Sequence, residues 1–497
     1  MEGNSNLNVF LNPRSVAVIG ASERPGSWGS FMMEGLFSWH YPGTIYPVNL
    51  HADEVYGIPT VGTVSAIEGP VDLAICAVPE RTIEEVIEEC GKKGIKGMSI
   101  ITAGFGEAVD EGRMRERALA ELANSYGMRL LGPNISGTFN LHARFNAAAS
   151  PAEHLFPTEL AAVCQGGYAF YDLLASASSR GMGVGKFIHT GNECDLTVTD
   201  FLEFFGDDEN VKGILMYLET IRDSARFFEV ARRVTKKKPV VAYKAGRTPG
   251  SARAARSHTG ALSGRKEIYE GFFHQAGIVL SPSMEILVPL GHALIERPPM
   301  TGNRVAIVTV GGSWGVALSD ALEECDLTVP ELSEGLQSRL RELGMPVRAS
   351  TKNPVDIGAA GFLFSIDTMV DIGREVIRSG EVDALILHGF GRPGLHSDET
   401  PGTMKLYGEV EKEVMTRYAS LEKEIGRPVL IGSHFSPWES QAVCDINREG
   451  LRVFNHVGDT ALLLSSLSDY WKGKREKTGT EAQSKSERKL LSSKVPE

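Results

Sequence analysis

The chain lacks the features that would fix a metal site, a secretory route or a membrane location on sight. Its six cysteines (Cys76, Cys90, Cys164, Cys194, Cys325 and Cys444) form no CxxC pair and stand at no zinc-ligand spacing. They read as reduced, mostly buried thiols, so neither a disulfide framework nor a metal centre is expected. The opening stretch, MEGNSNLNVFLNPRS, has no basic n-region and no apolar h-region, and no apolar run reaches membrane-span length. A cytoplasmic protein with no membrane segment is therefore expected. Excess positive charge is also missing. Fifty-one Lys and Arg face 63 Asp and Glu, a net charge of −12, which argues against nucleic acid as a general partner. An anionic ligand would have to be held by local backbone N–H groups and a few Arg or Lys side chains.

What is present is an ordinary globular composition, 42% hydrophobic and 23% charged over 497 residues, enough for two to four domains. Residues 1–150 carry the apolar runs SVAVIGAS, GTIYPVNL, VDLAICAVP, GMSIITAGF and MRLLGPN. Helical stretches such as RTIEEVIEECGKKG lie between them. Fully apolar strands alternating with helices predict a parallel α/β sheet covered on both faces. Residues 151–300 repeat the rhythm with ELAAVCQGG, GVGKFIHTGN, VKGILMYLET and KPVVAYKAG. Residues 301–471 repeat it again with NRVAIVTVGGSWG, DALILHGFG and RPVLIGSHF. The last two units read as copies: each opens on a strand that enters a Gly-Gly turn, Gly166-Gly167 and Gly311-Gly312. Residues 472–497 are charged, Ser-rich and poor in apolar residues, and predict a disordered tail.

The duplication supplies an internal control. After KPVVAYKAG the second unit carries RTPGSARAARSHTGALSG, whereas after RPVLIGSHF the third carries only SPWESQAV. The loop holding His258 is thus an elaboration of one copy, at a strand end where α/β folds place chemistry. Arg253 and Arg256 stand upstream of it, and a neutral imidazole can accept a phosphoryl group. The bland alternative is a surface loop with an incidental histidine. Glu219 follows an apolar strand and could hold an imidazole Nδ1–H, or could simply be exposed. Gln165, Gly166 and Gly167 precede a helical pattern, where bare N–H groups can seat a phosphate or merely allow close packing. In VIGASERPGSWG the glycines fall at 20, 26 and 29. This is neither a GxGxxG fingerprint nor a P-loop, so a phosphate-cradling turn and a plain tight turn both remain open.

Taken in order, VAVIGASERPGSWG, IYPVNL, AVPE, ITAGFGE, GPNISG, SHTGALSG and NPVDIGA resemble the alpha subunits of the NDP-forming acyl-CoA synthetases, relatives of the succinyl-CoA synthetase alpha subunit. The resemblance covers roughly Leu11 to Ser468. It implies a Rossmann-like CoA-binding domain followed by two flavodoxin-like, succinyl-CoA-ligase-type doubly wound domains. It implies that His258 is transiently phosphorylated with Glu219 as its orienting partner. It also implies that Gln165, Gly166 and Gly167 bind phosphate, and that CoA lies near Gly20, Ser22, Pro25, Ser27, Asn49, Pro79, Thr102 and Glu107. The implied reaction interconverts acyl-CoA, phosphate and NDP with a small carboxylic acid, CoA and NTP through an acyl phosphate. ATP or ADP with Mg²⁺ would sit on a separate ATP-grasp beta subunit in an α2β2-like assembly. The sequence departs from the family's Ser-Gln-Ser-Gly at Cys164-Gln165-Gly166-Gly167, and has Ile135, Ser136 and Leu50 where the family has Cys, Leu and Pro. Two competing readings are a non-catalytic CoA- or acyl-CoA-binding regulatory homologue and, against the missing GxGxxG, a nicotinamide-dependent oxidoreductase.

Overall fold

The computed structural model describes residues 7–107, 110–150, 152–166, 168–251, 253, 266–358, 365–393 and 402–492. By contact density the chain divides into two compact units, residues 1–178 with 182–291, and residues 179–181 with 292–497.

The first unit contains two sheets. Five short apolar strands build the first sheet: β1 (Ser15–Ile19), β2 (Thr44–Val48), then, past a small hairpin of β3 (Glu54–Val55) and β4 (Ile58–Pro59), β5 (Leu73–Cys76), β6 (Gly97–Ile100) and β7 (Arg129–Leu131). They run parallel in the order β2-β1-β5-β6-β7. Strands β1, β5 and β6 are buried at every residue, as apolar runs covered on both faces require. Helix Trp28–Ser38 starts where the Ser27 side chain accepts the Ser30 N–H, and helix Ile83–Lys93 stops at Gly94 in the left-handed conformation.

The second sheet comprises β8 (Gly137–Asn140), β9 (Phe145–Ala148), β10 (Leu160–Cys164), β11 (Lys186–His189), β12 (Gly213–Leu218), β13 (Val240–Lys244) and β14 (Val279–Leu280), in the order β14-β13-β12-β10-β11-β8-β9. Its five parallel strands have the doubly wound order of a flavodoxin. The sequence boundary near residue 150 is corrected here. The β8–β9 hairpin, placed by sequence in the first domain, is the antiparallel edge of the second sheet, with Phe139 paired to Phe187 and stacked on its ring at 5.2 Å. Nor are the first two predicted domains separate bodies. One apolar core joins Phe10, Leu131, Phe145 and Phe201, and Phe10 meets Phe201 edge to face.

The second unit holds β15 (Val305–Thr309), β16 (Val355–Asp356), β17 (Ala384–His388), β18 (Val429–Gly432) and β19 (Val453–Phe454) in the order β16-β15-β17-β18-β19. This is the same winding as the parallel part of the second sheet. Its core includes fully buried Tyr418, whose hydroxyl donates to the Met369 carbonyl at 2.8 Å. The segment read from sequence as a tail follows the last strand. Helix Val457–Ser492 buries Leu463, Leu464 and Leu467 near its start and continues through the charged segment. That segment is rich in Lys and Glu, good helix formers, and no proline occurs in it before Pro496.

Candidate functional site

The sequence-predicted CoA residues converge on the carboxyl edge of the first sheet. Gly20, Ser22, Pro25 and Ser27 follow β1, Asn49 follows β2, Pro79 follows β5, and Thr102 follows β6. The winding direction reverses between β1 and β5, and such a crevice is where open α/β sheets bind ligands. Gly20 is required there: its φ is +88°, and a Cβ would lie 2.6 Å from the Ala77 carbonyl oxygen. The polar side chains build the edge itself. Asn49 donates to the Ala21 carbonyl at 2.7 Å and accepts from the N–H groups of His51 and Ala52. Ser22 accepts the Arg24 N–H, Ser27 caps its helix, and Thr102 donates to the Val78 carbonyl. Glu107 turns inward. Its carboxylate accepts from the N–H groups of Gly104 and Phe105 and from the Asn192 amide, and these bonds hold its pKa below the ordinary value despite burial. Its side chain therefore ties the first sheet's loop to the second sheet.

Three of the remaining predicted residues meet at the carboxyl edge of the second sheet, again at the reversal point, between β10 and β12. Gln165 follows β10, and its side-chain oxygen accepts the N–H groups of Glu219 (2.6 Å) and Thr220 (2.9 Å) beyond β12. Its side chain thus clamps the Glu219 turn. Its backbone is pinned on both sides, by its own N–H to the Tyr217 carbonyl and by His189 Nε2 to its carbonyl at 2.8 Å. Glu219 is buried, only 7% exposed. Gly166 lies against it: a Cβ at residue 166 would sit 2.9 Å from Tyr217 Cε1 and 3.1 Å from Glu219 Oε1. A serine at residue 166 would therefore crowd the Tyr217 ring and the Glu219 carboxylate. Burial, and then the Glu219 charge, push the Tyr217 phenol up to about 12. Its ring stacks on Tyr243, which lies under the Arg247 guanidinium.

Sequence reasoning missed four residues at this edge. Buried Lys244 ends β13 and donates to the carbonyls of Glu219 (2.8 Å) and Ala245 (2.6 Å). Burial lowers its pKa, and the nearby Glu219 charge counters that. A lysine closing an otherwise apolar strand in VVAYKAG was the available signal. Asn192, Glu193 and Arg222 complete the set. Asn192 donates to Glu116 at 2.7 Å as well as to Glu107, and Arg222 donates to the Asn192 carbonyl. The dense polar turn HTGNE after β11 was the signal for the first two.

Gly167 and His258, with residues 254–265 around the histidine, lie outside the described residues. The chain enters that segment after β13, which pairs with β12, and returns at helix Lys266–Ala276. Strand β13 thus lies beside β12, which Glu219 directly follows.

Comparisons with known proteins match the two large sheets of the first unit separately. Residues 14–138 match a CoA binding domain, and residues 157–294 match a succinyl-CoA ligase like flavodoxin domain. An ADP-forming acetate–CoA ligase II alpha subunit of Pyrococcus furiosus is 40% identical over 71% of this chain and 76% of its own length. An ADP-forming 4-hydroxybutyrate–CoA ligase of Nitrosopumilus maritimus is 34% identical over 71% of this chain and 51% of its own. Among solved structures, a dinucleotide-forming acetyl-coenzyme A synthetase 1 of Ca. Korarchaeum cryptofilum, in complex with phosphate and ADP, superposes with a TM-score of 0.81. It is 32% identical and covers 95% of this chain and 98% of that one.

Proposed function

The chain belongs to the alpha subunits of the ADP-forming acyl-CoA ligases, and from that premise we propose how its residues share the work of interconverting acyl-CoA, phosphate and ADP with a small carboxylic acid, CoA and ATP. It is an acid–thiol ligase subunit, and CoA is its substrate. The residues at the first sheet's edge fit a phosphate-bearing ligand of this kind. Gly20 lets backbone segments approach closely, and the capped helix Trp28–Ser38 offers its N-terminus beside them. In the reaction, phosphate displaces CoA from the acyl group, giving acyl phosphate and the free thiol. Attack of the His258 imidazole on phosphorus then releases the carboxylate, and ADP finally takes the phosphoryl group.

In this reading Glu219 accepts the imidazole Nδ1–H and leaves Nε2 as the nucleophile. Gln165 and Lys244 fix the Glu219 backbone from its N–H and carbonyl sides. The N–H groups at Gly166 and Gly167 seat the phosphoryl group at the start of the following helix. The nucleotide and Mg²⁺ belong to a separate ATP-grasp beta subunit, in an α2β2 assembly in the cytoplasm.

The observation that carries the reading is the buried Glu219 at the β10–β12 reversal point, with both backbone polar groups held by residues of neighbouring strands. The test combines the full chain with an ATP-grasp subunit from the same genome and follows thiol release from acetyl-CoA. Release that requires both phosphate and ADP, and that is lost in His258→Ala, is expected. CoA binding without any turnover would restore the regulatory reading.

A further inference from the structure

The turn that carries Gln165 is braced from behind by a buried histidine. Strand β11 runs between β10 and β8, so its last residue, His189, stands between Gln165 and Ser136. The imidazole bonds to both. Its Nε2 lies 2.8 Å from the Gln165 carbonyl oxygen, and its Nδ1 lies 2.7 Å from the Ser136 backbone nitrogen. A carbonyl only accepts and a backbone N–H only donates, so Nε2 carries the proton and Nδ1 is the acceptor. The two partners thereby fix one neutral tautomer. A charged ring would turn a second N–H against that of Ser136. In keeping with this, burial lowers the His189 pKa to about 4, opposed by the bond to the Gln165 carbonyl.

The bracing continues to the helix beyond the turn. Ser136 Oγ lies 2.9 Å from His189 Nδ1 and 3.1 Å from the Tyr171 hydroxyl, and that hydroxyl donates to the Ser136 carbonyl at 3.1 Å. Tyr171 belongs to the first turn of helix Tyr168–Ser178, and its ring lies against Phe187 of β11, with centroids 5.4 Å apart. Gln165 stands before the Gly166-Gly167 pair and Tyr171 after it, so one chain of bonds ties both flanks of that pair. Gln165, Ser136, His189 and Tyr171 are all buried.

We propose that His189 is a positioning residue for the phosphoryl seat, locking the Gln165–Gly166 peptide with Ser136 and Tyr171 as its support. The assignment rests on the phosphoryl-transfer reading of the Glu219 edge and extends it to three residues that need not touch the substrate. The carbonyl of Gln165 and the N–H of Gly166 belong to one planar trans peptide, so they point in opposite directions. With the carbonyl held by His189 Nε2, the Gly166 N–H is aimed away from the imidazole. A glycine at residue 166 would otherwise let this peptide rotate, which would put an oxygen where the phosphoryl group needs a donor. The same bond steadies the backbone from which the Gln165 side chain reaches the N–H groups of Glu219 and Thr220.

The test uses the full chain with acetyl phosphate labelled in its phosphate, following the initial rate of acid-labile, base-stable label uptake at subsaturating acetyl phosphate. His189→Leu removes the donor to the Gln165 carbonyl and should lower the rate at least 10-fold. His189→Gln keeps an N–H that can reach that carbonyl and should bring the rate back to within 3-fold of the wild type, a rescue that packing alone would not produce. CoA affinity by calorimetry should stay within 2-fold of the wild type in both, as folded chains require. If either His189 variant binds no CoA, Tyr171→Phe carries the test: it loses one hydroxyl and should lower the rate at least 3-fold at unchanged CoA affinity. A smaller loss in a CoA-binding His189→Leu chain, or a His189→Gln chain no faster than it, would overturn the proposal. So would a smaller loss in Tyr171→Phe where that variant carries the test. A wild-type chain that takes up no label overturns the underlying reading of the site, and the two failures are thereby distinguished.

Discussion

The second and third sheets share one winding but end in opposite chemistry. In register, Cys164 pairs with Tyr217 in one and Thr309 with His388 in the other, so residue 219 corresponds to residue 390. The carbonyl at this position is held in both. Lys244 donates to the Glu219 carbonyl, and Ser433, at the matching place, donates to the Phe390 carbonyl at 2.7 Å. The N–H groups are taken up differently: Gln165, directly after β10, accepts those of Glu219 and Thr220, whereas buried Glu411, on helix Gly402–Ile425, accepts those of Gly391 and Arg392, one position further along. What differs is the side chain displayed, a carboxylate at 219 and a buried phenylalanine at 390. The carbonyl contact is thus shared by the two windings, while the carboxylate at 219 and the inserted histidine segment belong to one of them.

The largest effect should come from erasing that carboxylate. Glu219→Phe puts the third sheet's residue into the second and should cut phosphoryl uptake about 10⁴-fold, the scale of losing a residue that orients a catalytic imidazole. CoA affinity measured by calorimetry should be unchanged.

Removing the clamp should cost stability as well as rate. Gln165→Val copies Val310 and leaves the Glu219 and Thr220 N–H groups without their acceptor. A loss of roughly 2–4 kcal/mol is expected by denaturant unfolding, since each unsatisfied buried group costs about 1–3 kcal/mol. A loss below that range would mean that water replaces the amide.

Acid should separate the two units. Each buries an imidazole whose pKa falls to about 4. Burial is the main cause for both His189 and His388, with His434 adding to it at His388. Between that value and the ordinary 6.5, the unfolded chain binds a proton that the native imidazole does not. Stability is therefore lost as pH falls through that window, by about 2 kcal/mol per histidine between pH 7 and pH 5. In the first unit Glu193 acts oppositely. Its carboxyl, raised to about 7, stays protonated in the native state where the unfolded one has ionised, so its contribution is present at low pH and lost as pH rises toward 7. Hydrogen exchange at pH 7 and pH 5 should show the second unit losing protection more steeply than the first.

The smallest effect concerns Gly166. Gly166→Ser restores a hydroxyl but drives its Cβ against Tyr217 and the Glu219 carboxylate, a cost of about 1–2 kcal/mol. Tyr217→Leu in the same chain should recover part of it in thermal unfolding.

The strands were legible because each is a short, fully apolar run between turn residues, and the three-fold βα rhythm follows from that. Glu219 was legible as a charge at a strand end that the other copy lacks. The β8–β9 hairpin was not, because its pairing with β11 depends on Phe139 meeting Phe187, a contact with no local signature. Gln165 read as a phosphate ligand because it precedes a Gly-Gly turn. Its clamp on residues 219 and 220 spans more than fifty positions and needs the fold to be seen.

The central claim, that phosphoryl chemistry belongs to the edge carrying Glu219, is tested most directly by locating the phosphoryl group. The full chain is treated with acetyl phosphate labelled in its phosphate and digested, and the labelled peptide is mapped. The account predicts acid-labile label on residue 258 alone, absent in His258→Ala and formed far more slowly in Glu219→Gln. Label that persists in His258→Ala, or that maps to the third sheet, would contradict it.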